Sequence, residues 1–223
     1  MAAAADTGGP RSLPELRAAL AAGERRFPRL DLAGCDAGDL DLSGCDLQDG
    51  WFVECRFGHA QLRAACVQGA HFQQALLWGA DLSELRAQRS GWQEADLSGA
   101  RLQGADFSAA LLHRCCLRGV VAAASRWCEA RLVEADFRSG LDQLTDLGRA
   151  DFSGADLSFA SLQGVQLQGA RLRGAILHGA DLSRSDLRHA DLRGCDLRAA
   201  LLTDADLDGA DLREALLPAA AGR

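Results

Sequence analysis

Leu or Phe returns at every fifth residue over most of the chain, from Leu32 to Leu217, without loss of phase. The register contains 38 units, of which 31 carry Leu or Phe at the centre; two residues before the centre stands Ala in 22 and Cys in 5. A period of five suits neither regular element. On a helix it advances the side chain by about 140° and defines no buried face. In a continuous strand an odd period sends successive leucines to opposite faces. The pattern therefore predicts a very short extended piece that points two residues inward, the small one and the Leu or Phe, and then turns. The residues flanking the centre point outward. Gly is common at the fifth place, as at Gly99, Gly104 and Gly154, where a corner needs positive φ. One unit buries almost nothing, so the units must stack into a solenoid. Four units per coil are expected, because unusual inward residues recur at multiples of twenty: Phe52, Phe72, Trp92 and Phe152 in one column, and Cys35, Cys55, Cys115 and Cys195 in another.

The units Ala-Asp-Leu-Ser-Gly, Ala-Asp-Phe-Ser-Ala and Ala-Asp-Leu-Arg-Gly, spread over Leu30 to Leu217, resemble those of the pentapeptide-repeat family. The resemblance implies an all-β fold, a right-handed quadrilateral parallel β-helix over residues 30–217. Nine or so coils about 4.8 Å apart would make a rod roughly 45 Å long. Before it, Ser12-Leu13-Pro14-Glu15 reads as a capping box that opens a helix running to about Ala22, with Gly23 as the stop. Residues 12–29 are expected to cap the first coil through Leu13, Leu16 and Leu20, since an open solenoid end exposes core and strand edges. Residues 1–11 are expected to be disordered, and residues 218–223 to form a short tail. All four prolines, Pro10, Pro14, Pro28 and Pro218, lie outside this repeat, as they should if proline cannot join a ladder.

Three segments break the consensus. Leu85 to Gln93 puts Ala87 and then Trp92 at centres, Val120 to Glu129 puts Ala122 and Trp127 there, and Asp142 holds a centre within Gly140 to Thr145. A Trp in a narrow column implies strain, and a buried unpaired Asp is costly. All three segments are expected to bulge, as loops whose lengths preserve the phase. Arg86, Arg89, Trp92, Arg126 and Trp127 become candidate partner contacts, since Trp and Arg dominate binding hot spots. The outward Trp51, Trp78 and Phe159 are secondary candidates.

Composition narrows the chemistry. Every basic residue is Arg, which removes a Walker-type phosphate loop, a Schiff base and a Ser-Lys dyad. The five His are scattered, and no metal-ligand spacing is present among His and Cys. The inward cysteines act as slightly larger alanines. Cys35 and Cys55 stack within disulfide reach, although a core role favours reduced thiols, and Cys66, Cys116 and Cys128 should face outward. The expectation is a cytoplasmic, non-enzymatic protein with no cofactor, no metal site, no secretory leader and no membrane span.

Charge then points to protein partners. The net charge is -7, and Asp precedes the centre in 17 of the 38 units. Residues 31–70 carry 7 acids and 2 arginines, residues 71–140 balance at 8 and 8, and residues 141–223 carry 13 and 9. Such a pattern lacks the basic stripe that direct nucleic-acid binding needs. Some members of the family that the chain resembles are acidic rods that mimic DNA, bind DNA gyrase or topoisomerase IV, and protect against gyrase-targeting antibiotics. That likeness makes Asp181, Asp186, Asp191, Asp206 and Asp211 candidate partner contacts. The alternative is a structural or scaffold rod for a different protein partner. At the far end Leu201, Leu216 and Leu217 leave an apolar edge, from which a homodimer through the C-terminal end is expected.

Overall fold

The computed structural model describes residues 9–140 and 143–218. Most of the expected disordered N-terminus, Asp142 and the end of the expected tail lie outside them.

Helix α1 spans Leu13–Ala21, with Pro14 in its first turn. The Ser12 side chain accepts the Glu15 amide at 3.4 Å. Glu15 completes the cap by accepting the Arg11 amide at 2.8 Å, one residue earlier than an ordinary capping box would have it. Gly23 ends the helix at φ +87, with Glu24 N–H donating to the Ala19 carbonyl. Leu16 is buried, while Leu13, Ala19 and Leu20 pack on the core. The helix thus lies over the first coil.

The rest is a parallel β-helix in which each coil contributes one bridge per side. Bridges run from residue i to i+20, beginning with Arg26 to Asp46. Four five-residue units therefore close one coil, and the coil starts four residues before Leu30. At a representative unit backbone carbonyls take up four of the five amides. Ala37 N–H donates to Arg56 O in the next coil, Asp39 N–H to Gly58 O, and Arg56 N–H back to Cys35 O, while Leu40 N–H closes the turn on Ala37 O. The turn places its third residue in the left-handed region. Glycine takes that place at many corners, yet among the described residues 22 with positive φ are not glycine. Each such residue costs on the order of 1 kcal/mol, and the bonded layers on either side hold it there.

One amide per unit remains, that of the residue after the centre, and it explains the aspartates. All 17 that precede a centre, from Asp31 to Asp211, accept this N–H through Oδ1 at 2.9 to 3.3 Å. The carboxylate is a local cap.

Between Cys116 and Asp146 the register changes. Val121 bridges Asp146, Arg126 bridges Asp151, Arg131 bridges Asp156 and Asp136 bridges Ser161, an interval of 25; the interval returns to 20 at Asp146 to Gln166. One five-residue unit is expelled at the corner that includes Gly140, Gln143 and Leu144. It is closed by Gly140 N–H donating to Gln143 O at 2.8 Å. The buried Thr145 pins it, donating to Arg138 O and accepting Gly119 N–H. The expected bulge is thus present in this segment. The slip also reassigns the columns: Phe152 stacks on Trp127 rather than continuing from Phe52, and Cys195 leaves the column of Cys35, Cys55 and Cys115.

The other two irregular segments are corrected. Residues 85–93 and 120–129 keep the bridge ladder, and Ala87, Trp92, Ala122 and Trp127 are fully buried. The expected strain is relieved in two ways. Alanine at the preceding centre makes room for the indole, so that Trp92 reaches edge-on to Phe107, one coil below Ala87, at 5.5 Å. Serine at the small inward position then accepts the indole N–H, from Trp92 to Ser90 and from Trp127 to Ser125, each at 2.6 Å, and passes its own hydrogen to the Ala87 or Ala122 carbonyl. Trp92 stacks flat on Phe72 at 4.1 Å and Trp127 on Phe107 at 4.5 Å. Cys55, Cys115 and Cys195 use their thiols in the same manner, donating to Leu32, Trp92 and Leu172 carbonyls. Desolvation by burial pushes the Cys55 thiol up to about 11.

This exchange of volume predicts coupled mutations. Ala87→Leu alone should destabilise by about 1–3 kcal/mol through overpacking, and Trp92→Leu by roughly 2–3 kcal/mol through a cavity. The double variant should return to within about 1 kcal/mol of the parent in guanidinium unfolding, and additive losses would contradict the account.

Candidate partner-binding surface

The filled interior leaves the outside of the prism for recognition, and its four sides differ. They are numbered here by their outward ladders. The first runs Arg26, Asp46, Cys66, Arg86, Asp106, Arg126, Asp151, Arg171, Asp191, Asp211. Charges nearly alternate along it, and neighbours pair: Arg26 with Asp46 at 3.8 Å, Arg126 with Asp106 at 3.9 Å, Arg171 with Asp151 at 3.7 Å. The fourth, Asp41, Gln61, Asp81, Arg101, Val121, Asp146, Gln166, Asp186, Asp206, is polar except for Val121. Neither carries any of the large exposed hydrophobic residues found among the described residues.

Most of those residues lie on the two adjoining sides; Leu144 stands at the expelled corner between the third and the fourth, and Leu217 at the C-terminal end. The second ladder runs Asp31, Trp51, His71, Gly91, Leu111, Arg131, Asp156, Ile176, Asp196, Leu216, and the third includes Leu76 and Leu201. Trp51, Leu111, Ile176 and Leu216 are exposed on the second, Leu76, Trp78 and Leu201 on the third, and Phe159 sits at the corner between them, 57 % exposed. From Trp51 to Arg131 five successive rungs of the second ladder lack Asp, whereas no other ladder has more than two such rungs in a row. Trp51 lies against His71 with ring centroids 4.1 Å apart and planes 19° apart. Farther along, a groove of about 630 Å³ is lined by Leu111, His113, Arg131, Val133, Asp156 and Ile176, among others.

The aromatic residues singled out in the sequence divide accordingly. Trp51, Trp78 and Phe159 are at the surface, whereas Trp92 and Trp127 are enclosed and present nothing to a partner. Arg86 and Arg126 are exposed on the first side and Arg89 at its corner toward the second.

The candidate carboxylates do not form one surface. Asp181 is on the third side, Asp186 and Asp206 on the fourth, Asp191 and Asp211 on the first. Most are also held by arginine. Arg188 binds Asp186 at 2.7 Å and reaches Asp206 at 3.6 Å; Arg193 does the same for Asp191 at 2.6 Å and Asp211 at 3.6 Å. Hydrogen bonding from Arg188 and Arg193 lowers the pKa of Asp186 and Asp191, and that from Arg213 brings Asp211 to about 2. Around Asp136, burial raises the pKa, but Arg138 and Arg118 outweigh it and bring the group to about 2. The sequence signal for the apolar side was its spacing of twenty, visible from Trp51 to Leu111 and then hidden by the expelled unit.

Comparison with known proteins agrees with this architecture. The family model described as pentapeptide repeats matches in 8 copies, over residues 41–79, 55–90, 93–122, 150–188 and 180–217. A search of curated proteins returned no match. Among solved structures, the chain is similar to HetL of the cyanobacterium Nostoc sp. strain PCC 7120, a pentapeptide repeat protein involved in heterocyst differentiation regulation. The two are 32% identical over 95% of this chain and 99% of that one, with a TM-score of 0.74. QnrB1, a plasmid-mediated fluoroquinolone resistance protein, is 19% identical over 87% of this chain and 92% of its own, with a TM-score of 0.37, too low to support any functional likeness.

Asp136, Asp186, Asp191 and Asp211 predict acid sensitivity. Their folded pKa values lie below the unfolded value near 3.9, so their stabilisation is complete above about pH 4 and is lost as pH falls toward 2. Circular dichroism should show unfolding in that window, and Arg138→Gln should move its midpoint upward.

Proposed function

We propose, from the premise that the chain belongs to the pentapeptide-repeat family, that it is a non-enzymatic rod which binds a protein partner through its second and third sides. One observation carries the reading: apart from Leu144 at the expelled corner, the large exposed apolar residues among those described lie on two adjacent sides or at the C-terminal end, while the other two sides carry charged and polar ladders. A one-sided apolar surface of this kind is what interaction sites present. The likeness to HetL favours a regulatory partner. Thiols that donate to core carbonyls favour a reducing, cytoplasmic setting. No helix among the described residues is long and apolar enough to cross a membrane.

A DNA mimic that binds gyrase or topoisomerase IV and protects against antibiotics is the second reading, supported by the net charge of -7. It needs carboxylates arranged as phosphate stand-ins on one surface, and the arginine clamps and the spread over three sides weigh against it. Gyrase supercoiling with and without ciprofloxacin separates the two, the apolar-surface reading expecting neither inhibition nor protection at micromolar protein.

The apolar-surface reading also predicts the site of contact. A benzophenone amino acid placed at Trp51 or Ile176 should form a discrete photo-adduct in the cell of origin, and the same group at Gln61 or Gln166 on the fourth side should not. Adducts from both sides, or from neither, would remove it. Self-association through the C-terminal end is part of the proposal, supported by Leu201, Leu216 and Leu217, each more than half exposed. Sedimentation should then give a dimer that Leu201→Asp with Leu216→Asp converts to a monomer; equal mass for both proteins would exclude it.

A further inference from the structure

The second side contains one rung with no side chain. Gly91 stands between His71 and Leu111, and a Cβ there would lie 2.7 Å from Gln73 Nε2 and 3.0 Å from Gln93 Oε1. The two amides fold across the glycine, yet Gln73 Oε1 and Gln93 Oε1 are buried without accepting a hydrogen bond. Gln73 turns its Nε2 toward the rung, 3.4 Å from His71 Nδ1, and Gln93 its Oε1; two desolvated acceptors beside one rung form an arrangement that a fold leaves unsatisfied at a penalty. It calls for a donor that the described residues do not supply.

The surroundings specify the donor's chemistry. On one side of the rung the His71 ring is held flat against Trp51. Glu54 and Glu94 project from the adjoining corner; Glu94 accepts from Gln74 Nε2 at 2.9 Å, the next residue along the corner, Arg114, is paired with Glu134, and no ion pair within 4.0 Å joins Glu54 or Glu94 to an arginine among the described residues. On the other side begins the groove in which Leu111, Val133 and Ile176 stand beside Arg131 and Asp156. A planar cation with several N–H donors fits all of these features: it stacks on an aromatic ring, donates to both amide oxygens and answers the acidic corner. A guanidinium has that shape and an ammonium does not.

We infer that the second side docks a protein segment carrying an arginine beside an apolar stripe, with the guanidinium seated at the Gly91 rung and the apolar residues running along the groove toward Ile176. From Trp51 to Ile176 the ladder has six steps of about 4.8 Å, or roughly 29 Å, enough for about five turns of helix. This rests on the protein-binding reading and adds the partner's chemistry to it.

The test uses the full chain and three fluorescein-labelled helical peptides that share one leucine stripe and carry three Arg, three Lys or three Glu beside it. Anisotropy should show the Arg peptide binding at least tenfold more tightly than the Glu peptide and severalfold more tightly than the Lys peptide, with weakening as salt rises. Gln73→Leu with Gln93→Leu should weaken the Arg peptide at least fivefold and remove its advantage over Lys. Gly91→Leu should do the same by filling the rung, with unchanged circular dichroism as the check on folding. Equal binding of Arg and Glu peptides, or no saturable binding of the Arg peptide, overturns the inference. So does self-association of the unlabelled protein that Gly91→Leu abolishes, which would identify a second copy as the occupant. A failure here alongside discrete adducts from Trp51 and Ile176 leaves the binding rod standing with a partner of different chemistry; absence of both removes the rod reading as well.

Discussion

Pairing of each coil's amides with the carbonyls of the next is the constraint from which the rest follows. Because the layers bond at every unit, a coil must contain four units, and surplus chain can be accommodated only by leaving the wall. The bridges around Thr145 obey this rule: the interval widens to 25 from Val121 to Asp136, and the ladder resumes at Asp146 with every later bridge in register. Thr145 makes the exit tolerable, because its hydroxyl satisfies Gly119 N–H and Arg138 O where the layers part. The same bonded layers hold residues such as His59 and Phe159 in the left-handed region, which an isolated turn would give to glycine.

The constraint also changes what the acidic residues mean. Interlayer and turn bonds satisfy every amide of a unit except the one after the centre, and a preceding Asp accepts it. Where that next residue is Arg, as at Arg188, Arg193, Arg198 and Arg213, the guanidinium folds back onto the same carboxylate. Acidity in the C-terminal half is therefore mostly local capping chemistry with its counter-charge attached. Net charge describes the composition of such a rod better than it describes the surface a partner meets.

Much of this was legible in the sequence for a physical reason: a fivefold period admits no common regular element, so the coil, its four-unit turn and its helical cap follow from Leu32, Gly99 and Ser12 alike. Other features were hidden. The expelled unit has the length of a repeat, so it preserves the phase of five while shifting the phase of twenty, and columns drawn through Phe152 or Cys195 by counting were misplaced. Trp92 and Trp127 looked like surface anchors because a single position was weighed against a single column. The compensation lies in the pattern Ala-x-x-Ser-x-Trp, present at Ala87 to Trp92 and again at Ala122 to Trp127. There the alanine yields volume and the serine accepts the indole N–H.

Asymmetry between the sides is the one feature that the repeat itself does not require. A consensus unit supplies Asp before each centre, and each Asp contributes a capping bond worth on the order of 1 kcal/mol or less at the surface. Five consecutive rungs from Trp51 to Arg131 forgo it on one side, where ladders elsewhere never omit it more than twice in succession. In its place stand Trp51, stacked on His71, then a bare glycine, Leu111 and Arg131. Random drift would scatter such losses over four sides, because units adjacent in sequence face different directions. Concentration at intervals of twenty sets residues distant in sequence on one surface, which is the arrangement that the proposed partner lying along the rod would need.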